Sequence, residues 1–203
     1  GSIPRKEFAA SELFKGDWDG YQAQDLISGR VGQTALRFCM LSLQATERDL
    51  IQDNDSSGER TVIVFEGLLF VADFNKSFSA RTFINQETGS LISDLFGSSI
   101  ELEDPEFNRM FEVRSTDPVE ARYLLSPSLM ERLKRLRQRN HFRAAFKDGH
   151  LWMMLQRPAG AFDPDLSLPL TDASQTVRVL ENLQGITGIV EELDLNNRIW
   201  TKV

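Results

Sequence analysis

Several residue types and motifs are scarce or missing in this chain, and each shortage removes a class of protein. The 203 residues include one cysteine, Cys39, and two histidines, His141 and His150. A single cysteine excludes a disulfide framework and a cysteine-rich metal site. Every apolar run falls short of the roughly 20 residues that a membrane-spanning helix needs. No serine lies in a nucleophile elbow, and no glycine-rich loop has phosphate-binding spacing, so a recognisable catalytic motif is missing as well.

The composition that is present is typical of a globular domain. Hydrophobic residues make up 41% of the chain and charged residues 26%, values far from those of disordered segments. This length can bury one core, and it predicts a single domain over residues 1–203. The chain begins with Gly1-Ser2 and shows neither an initiator methionine nor a signal-peptide pattern. We expect these two residues to be a cloning remnant and the chain to be part of a longer protein.

The net charge of -7 hides a strongly basic segment. Between Arg132 and Lys147 there are seven basic residues and no acidic ones. The rest of the chain therefore holds 16 of the 23 basic residues and all 30 acidic ones. A basic segment on an acidic body affects the choice of partner more than the total charge does.

The basic segment supplies the only candidate binding residues that we predict. They are Arg132, Arg135, Arg139, Arg143 and Lys147. One interpretation is contact with an acidic surface, either anionic lipid headgroups or an acidic protein partner. The alternative is a solvated helix face whose charges pair with the acidic body of the same domain.

The strand signals are strongest in two places. Thr61 to Phe74 is almost continuously apolar, which predicts a central strand covered on both faces. Asp148-Gly149 lies between two alternating segments and predicts a tight hairpin turn. We also predict a strand over residues 107–113, and a bulge or switch in facing near Met40, where the alternation of the preceding strand changes phase.

Helical periodicity dominates the second half of the chain. Asp117 and Glu120 predict a capping box with Pro118 at the first helical position, and Ser126-Pro127 repeats the start signal. Leu129, Leu133 and Leu136 then share one face of a basic amphipathic helix that ends near Asn140. A last helix, over residues 174–193, is expected to close the core. Its core residues are predicted to be Val179, Leu183, Ile186 and Val190.

Other motifs are better explained without chemistry. Asp53 to Gly58 matches half of a calcium loop, but Val64 stands where the bidentate glutamate is needed. A second group of carboxylates, Asp17, Asp19 and Asp25, lies close together in the sequence, and it is more typical of a turn than of a metal site. Glu101 and Glu103 would share the exposed face of a strand. His141 and His150 would be neighbours if paired across the hairpin, although surface positions are the simpler interpretation. Gly185 to Gly188 copies a KH-domain loop, but its acidic flanks argue against nucleic acid.

Five segments together resemble a family of uncharacterised bacterial membrane proteins, the domain of unknown function 3137. They cover nearly the full length in the expected order: Phe8-x-x-Ser11-x-Leu13-Phe14, Asp25-Leu26-Ile27-x-Gly29, Phe65 to Lys76, Glu101 to Leu133, and Leu193 to Trp200. The resemblance implies a parent protein with N-terminal membrane-spanning helices and this domain on the cytoplasmic side. It also implies a LemA-type membrane protein as a partner. It supplies no catalytic residues.

From these observations we predict one α+β domain. Its sheet is expected to be mainly antiparallel with about six to eight strands, with helices on one side, among them the basic amphipathic helix and a C-terminal core-packing helix. The predicted function is a non-enzymatic interaction module of a membrane-anchored bacterial protein, without cofactor, metal or nucleic acid. The alternative is an enzyme with an unrecognised site, a metal-assisted hydrolase that uses loop carboxylates.

Overall fold

The computed structural model describes residues 1–14, 16–48, 59–74, 76–86, 97–156, 167, 169 and 172–195. Over these residues the strands form one sheet of eight, in the order β1-β2-β3-β8-β7-β4-β6-β5. Every pairing is antiparallel. The strands are β1 (Gly20–Val31), β2 (Thr34–Arg48), β3 (Glu59–Asp73), β4 (Thr82–Asn85), β5 (Ser98–Ser99), β6 (Glu112–Ser115), β7 (Phe142–Lys147) and β8 (His150–Gln156).

The helices cover the two faces of the sheet unequally. They are α1 (Arg5–Ser11), α2 (Pro105–Met110), α3 (Pro118–Leu124), α4 (Pro127–Arg139) and α5 (Ala173–Glu192). Buried residues of α2 to α5 join one core on one side of the sheet. On the other side, Phe8 of α1 packs with Ile3 and Leu13 against a second core. The predicted α+β fold is confirmed, but the helices are not confined to one side of the sheet as we expected.

The central position of β3 explains its apolar sequence. Successive residues point to opposite faces of a strand, so Leu68 and Phe70 enter the core under α2 to α5 while Leu69 and Val71 enter the core under α1. All four are at most 2% exposed. The prediction of a strand covered on both faces is therefore confirmed for the second half of β3.

The phase change near Met40 has the same cause. Phe38 and Met40 face one core, while Cys39 and Leu41 face the other, so apolar residues follow one another without a bulge. The register of β2 against β3 is regular there and shifts only between Leu43 and Gln44. The predicted bulge lies in the neighbouring strand rather than in β2, since the register of β1 shifts between Gln24 and Ile27, opposite Met40 and Phe38. A switch in facing, the alternative, is not found in β2, because burial on both faces already accounts for the lost alternation.

A helix replaces the first part of the strand that we predicted over residues 107–113, and only residues 112 and 113 belong to a strand, β6. Asp104 accepts hydrogen bonds from the backbone amides of Glu106 and Phe107, and Pro105 occupies the first turn, so the chain enters α2. Phe107 and Phe111 are both buried. Their separation of four residues places two side chains on one side of a strand or of a helix, and the sequence pattern could not distinguish the two.

The predicted hairpin is confirmed. Asp148 and Gly149 have φ angles of 52° and 74°, and they connect β7 to β8 with Lys147 opposite His150. Asp117 also caps α3 as expected, through the amides of Val119 and Glu120. Among the described residues, no helix combines the length and apolarity that crossing a membrane requires.

Candidate functional site on the outer face of helix α4

Helix α4 is held to the sheet by one apolar face. Pro127 occupies its first turn, and the helix ends at Arg139, directly before Asn140, close to the predicted end. Leu129, Leu133 and Leu136 are all at most 5% exposed, and they pack in the larger core. The basic residues therefore lie on the remaining faces of the helix, where their partners decide which of them are available for binding.

Lys134 is not available, because it is buried among carboxylates. Its ammonium nitrogen lies 2.8 Å from Glu106, 2.6 Å from Glu131 and 2.9 Å from Asp104. Hydrogen bonds to Glu106, Glu131 and Asp104 raise the pKa of Lys134, and the bond from Lys134 lowers the pKa of Asp104. This ion-pair cluster joins α2 to α4, so the positive charge of Lys134 is neutralised locally.

Two further cations of α4 have structural partners. Arg132 donates to the backbone carbonyl of Glu192 at 3.0 Å and to the carboxylate of Asp194 at 3.2 Å, at the end of α5. The guanidinium carbon of Arg137 lies 5.9 Å from the centre of the Phe111 ring. Both side chains fasten α4 to its neighbours, and neither is a free surface charge.

Arg135 and Arg139 remain on the outer face of the helix. Both are exposed, and neither makes a hydrogen bond or an ion pair with any residue that the structure describes. Their separation of four residues places them one helical turn apart on the same side. The outer face of α4, defined by these two arginines, is the part of the predicted basic surface that is open to a partner.

The structure does not bring Arg143 and Lys147 to this surface. Both lie on β7, with side chains on the α1 side of the sheet. Arg143 stacks 5.2 Å from the centre of the Phe14 ring. Lys147 contacts the Ala10 carbonyl at 2.5 Å and the Glu12 carboxylate at 3.2 Å. The five predicted residues therefore do not form one basic surface, because the sheet separates those on α4 from those on β7.

The partner of Lys147 is itself held in its charged form. Burial alone would raise the pKa of Glu12, but hydrogen bonds from Lys147 and Arg81 outweigh it, and the net pKa is lowered. Arg81 contacts the Glu12 carboxylate at 2.7 Å. This small network attaches the end of α1 to the sheet, which is a structural use of the charge of Lys147.

The two histidines lie at opposite ends of the hairpin. His150 lies beside the turn, opposite Lys147. At the other end, the backbone carbonyl of His141 accepts a hydrogen bond from the backbone amide of Gln156. The two side chains are therefore not neighbours, and the simpler interpretation, surface positions, agrees with their exposure. His150 instead lies 3.9 Å from Asp73.

The other candidate motifs do not assemble into a site within the described chain. Asp19 accepts a hydrogen bond from the Thr46 amide, which lowers its pKa. Asp25 lies in a bulge of β1 with a φ of 57°. No three His, Cys, Asp or Glu side chains among the described residues are placed to hold a metal ion. The partial calcium-loop motif over residues 53–58 lies outside the described residues.

The remaining two motifs have structural explanations. Gly185 to Gly188 lies inside α5, and the space beside both glycines is open. Cys39 is fully buried in β2, as predicted, and burial raises the pKa of its thiol. Neither motif therefore presents a group to a ligand.

Sequence reasoning missed two polar contacts between distant segments, one at each end of α3. The carboxylate of Glu120 on α3 accepts hydrogen bonds from the backbone amides of Ser79 and Ala80 rather than completing a capping box. The ammonium of Lys76 lies 3.2 Å from the Leu124 carbonyl at the other end of α3. The sequence carries no signal for these contacts, because their partners lie about 40 residues away along the chain.

Comparisons with known proteins place the chain in a family. No curated protein matches it. A solved structure that is similar to this chain is the crystal structure of the mycobacterial trehalose monomycolate transport factor A, TtfA. It is 9% identical, covering 90% of this chain and 83% of that one, with a TM-score of 0.38, too low to support an inference. Residues 63–195 match the family described as "Protein of unknown function (DUF3137)", and the chain belongs to that family.

Proposed function

We propose that this domain is a binding module that docks an acidic segment of a partner protein onto the outer face of α4. One observation carries the proposal: Arg135 and Arg139 are exposed and without a partner among the described residues, while the neighbouring cations of α4 are engaged. An arginine presents a planar fork of donors that matches a carboxylate in two parallel hydrogen bonds. Two forks on a rigid helix suit a segment that carries two carboxylates.

A protein partner fits this surface better than a membrane does. Each cation near an anionic leaflet contributes about 1 kcal/mol, so two arginines would supply only about 2 kcal/mol. The domain has a net charge of -7, and its acidic body would be repelled by the same leaflet. The LemA-type protein implied by the family resemblance is a partner to test, and so is an anionic lipid surface.

The test compares two double variants of the same charge. Arg135→Gln with Arg139→Gln removes the open cations, while Lys6→Gln with Arg30→Gln removes two exposed cations elsewhere. The probes are a decaglutamate peptide, a LemA-type protein and phosphatidylcholine vesicles with and without phosphatidylserine, each at low and high salt. We expect the first variant to lose at least tenfold in affinity for the acidic peptide and the second to lose little.

The outcomes separate the possible partners. An equal loss of affinity for the acidic peptide in both variants would show that only the net charge of the domain controls binding, and the proposal would be wrong. Binding to phosphatidylserine vesicles that depends on Arg135 and Arg139, without binding to the peptide, would replace the protein partner by a lipid surface. Unchanged binding to every probe in the α4 variant would remove this helix face from the function altogether.

A further inference from the structure

Strand β3 continues beyond the strand that pairs with it on one side. β8 pairs with residues 67–73 of β3 and ends at Gln156, opposite Gly67. Residues 59–63, 65 and 66 of β3 pair with β2, and on the other side residues 60–66 have no partner within the described chain. Val64 falls at a shift in the β2 register. Among the described residues, the first half of β3 is therefore a free sheet edge, next to the last described residue of β8.

The hydrogen bonds of β2 show which backbone groups of β3 point to this free edge. Asp19 donates from its backbone amide to the Gln44 carbonyl at 3.0 Å, and its carboxylate accepts from the Thr46 amide at 3.2 Å. The backbone groups of Gln44 and Thr46 thus point away from β3. In an antiparallel ladder, their partners Ile63 and Thr61 must then point their own amides and carbonyls away from β2.

Apolar side chains accompany these open backbone groups. Ile63 is 59% exposed and Val64 is 36% exposed. Proteins usually protect a free edge with charges, proline, a bulge or a covering segment, because an edge accepts any extended chain. In β3 the bulge lies at Val64, and the pairing of Thr61, Val62 and Ile63 with β2 before it is regular. Here the edge offers both the ladder of hydrogen bonds and an apolar surface to an incoming strand.

A small cavity opens at the step where β8 ends. Its volume is about 170 Å³, and its lining combines residues of β3, β4, β7 and β8 with Phe14. The apolar part of the lining is Phe14, Val64, Phe65, Phe142 and Met154. Pockets for whole small molecules hold roughly 300–1,000 Å³, so this cavity has room for a single large side chain.

The polar rim of the cavity contains an acceptor that needs a donor. The side-chain oxygen of Gln86 is buried and has no hydrogen-bond partner among the described residues, while its amide nitrogen donates to the Asn140 carbonyl at 3.3 Å. A buried acceptor without a partner raises the free energy of the folded state, because it has lost its hydrogen bonds to water. A ligand that brings a hydroxyl or N–H group to Gln86 would recover that free energy.

We propose that the free edge of β3 over residues 60–66 binds an extended segment of another protein as an additional strand, and that the cavity receives one large side chain of that segment. Strand addition fits because only an extended backbone satisfies the alternating groups of Thr61 and Ile63, and side-chain pockets then provide specificity. Tyrosine is the side chain that suits the cavity, since it combines an aromatic ring with a hydroxyl donor for Gln86. This site is separate from α4, and the two proposals can fail independently.

The experiment titrates the isotope-labelled chain with short strand peptides and follows its backbone amide signals. The peptides alternate threonine and valine between terminal lysines, and their central residue is tyrosine, phenylalanine or alanine. We expect the tyrosine peptide to bind at least tenfold more tightly than the alanine peptide. The shifted signals should be those of residues 61–66, 141–143 and 154–156.

Two substitutions at one exposed position test the pairing. Ile63→Pro removes the amide that points to the free edge and leaves the β2 ladder intact, so we expect loss of binding. Ile63→Thr keeps that amide and should retain binding. Gln86→Leu should abolish the preference for tyrosine over phenylalanine, because the acceptor is gone.

A second measurement keeps the test decisive if Ile63→Pro does not fold. The tyrosine peptide with every amide N-methylated keeps its side chains but cannot donate along a strand, and we expect it to bind at least tenfold more weakly. Equal binding of the methylated peptide would overturn the proposal. So would binding by folded Ile63→Pro, signals that shift along β1 instead, or no shift with any peptide.

Discussion

Lys76 holds its ammonium nitrogen 3.2 Å from the carbonyl oxygen of Leu124, where α3 ends. The same ammonium lies 5.4 Å from the centre of the Tyr123 ring. Cations near the end of a helix interact favourably with its dipole. Burial nevertheless lowers the pKa of Lys76, because the charged form loses water that these contacts do not fully replace.

This lowered pKa predicts how stability changes with pH when Lys76 is replaced. Below the folded pKa, both states hold the proton, and the wild type bears the whole cost of the buried charge. As the pH rises from the folded pKa towards about 10.4, the folded state releases the proton first, so the wild type gains stability. We expect the unfolding free energy of wild type minus Lys76→Met to increase from pH 8 to pH 10 in urea titrations. A constant difference would contradict this account.

Glu120 is expected to stabilise the segment that precedes β4. Its carboxylate accepts hydrogen bonds from the Ser79 and Ala80 amides, and bonds to a charged group contribute about 1.5–3 kcal/mol. Glu120→Ala should lower the free energy of unfolding by that amount, and Glu120→Gln by less. Glu103→Ala, at an exposed position, should change it by less than about 0.5 kcal/mol. Chemical denaturation measures all three, and equal effects at the two positions would show that these bonds do not contribute.

Two arginines on the same helix are expected to differ in their effect on stability. Arg132 bonds to the Glu192 carbonyl and to Asp194, whereas Arg135 has no partner among the residues described. Arg132→Ala should lower the free energy of unfolding by about 1 kcal/mol. The value is small because the ion pair of Arg132 with Asp194 is partly exposed to water. Arg135→Ala should cost less than about 0.5 kcal/mol. Hydrogen exchange at the end of α5 should quicken only in the Arg132 variant; faster exchange in both would place the effect elsewhere.

The sequence was most informative where the decisive interaction is local. Asp148-Gly149 identified a hairpin because positive φ angles are a property of two neighbouring residues. Asp117-Pro118 identified the start of α3 for a similar reason. Phe107 and Phe111 could not be assigned, because their spacing fits a strand and a helix equally well. In that case the Asp104 cap, also local, decided the structure.

The candidate site could be predicted only in part, because charge availability depends on distant partners. A run of seven cations suggested one surface. In the structure, Lys134 pairs with carboxylates at α2, while Lys147 pairs with Glu12 on the side of the sheet opposite to α4. Sequence order gives no measure of which side of the sheet a segment occupies. The free edge of β3 is equally invisible in sequence, since it arises from the pairing of β3 with β8, which in the described part of the chain covers only residues 67–73.

Helix α5 provides the last prediction, because its packing departs from the sequence pattern at one residue, Val179. Of the four predicted core residues, Ile186 and Val190 are buried and Leu183 is partly buried against the core, while Val179 lies outside the cluster. The buried residues of the last turns are Ile186, Ile189, Val190 and Leu193. These four follow the i, i+3, i+4, i+7 pattern of a single face. Ile189→Ala should therefore cost about 2–5 kcal/mol, the range for truncating a buried aliphatic side chain. Val179→Ala, at a half-buried position outside that cluster, should cost less than about 1 kcal/mol. Urea titration measures the loss in free energy of unfolding for both variants. An equal loss in the two variants, or a larger loss for Val179→Ala, would mean that the first half of α5 packs against the domain. The exposed Val177 and Leu180 would then lie on a different face of the helix.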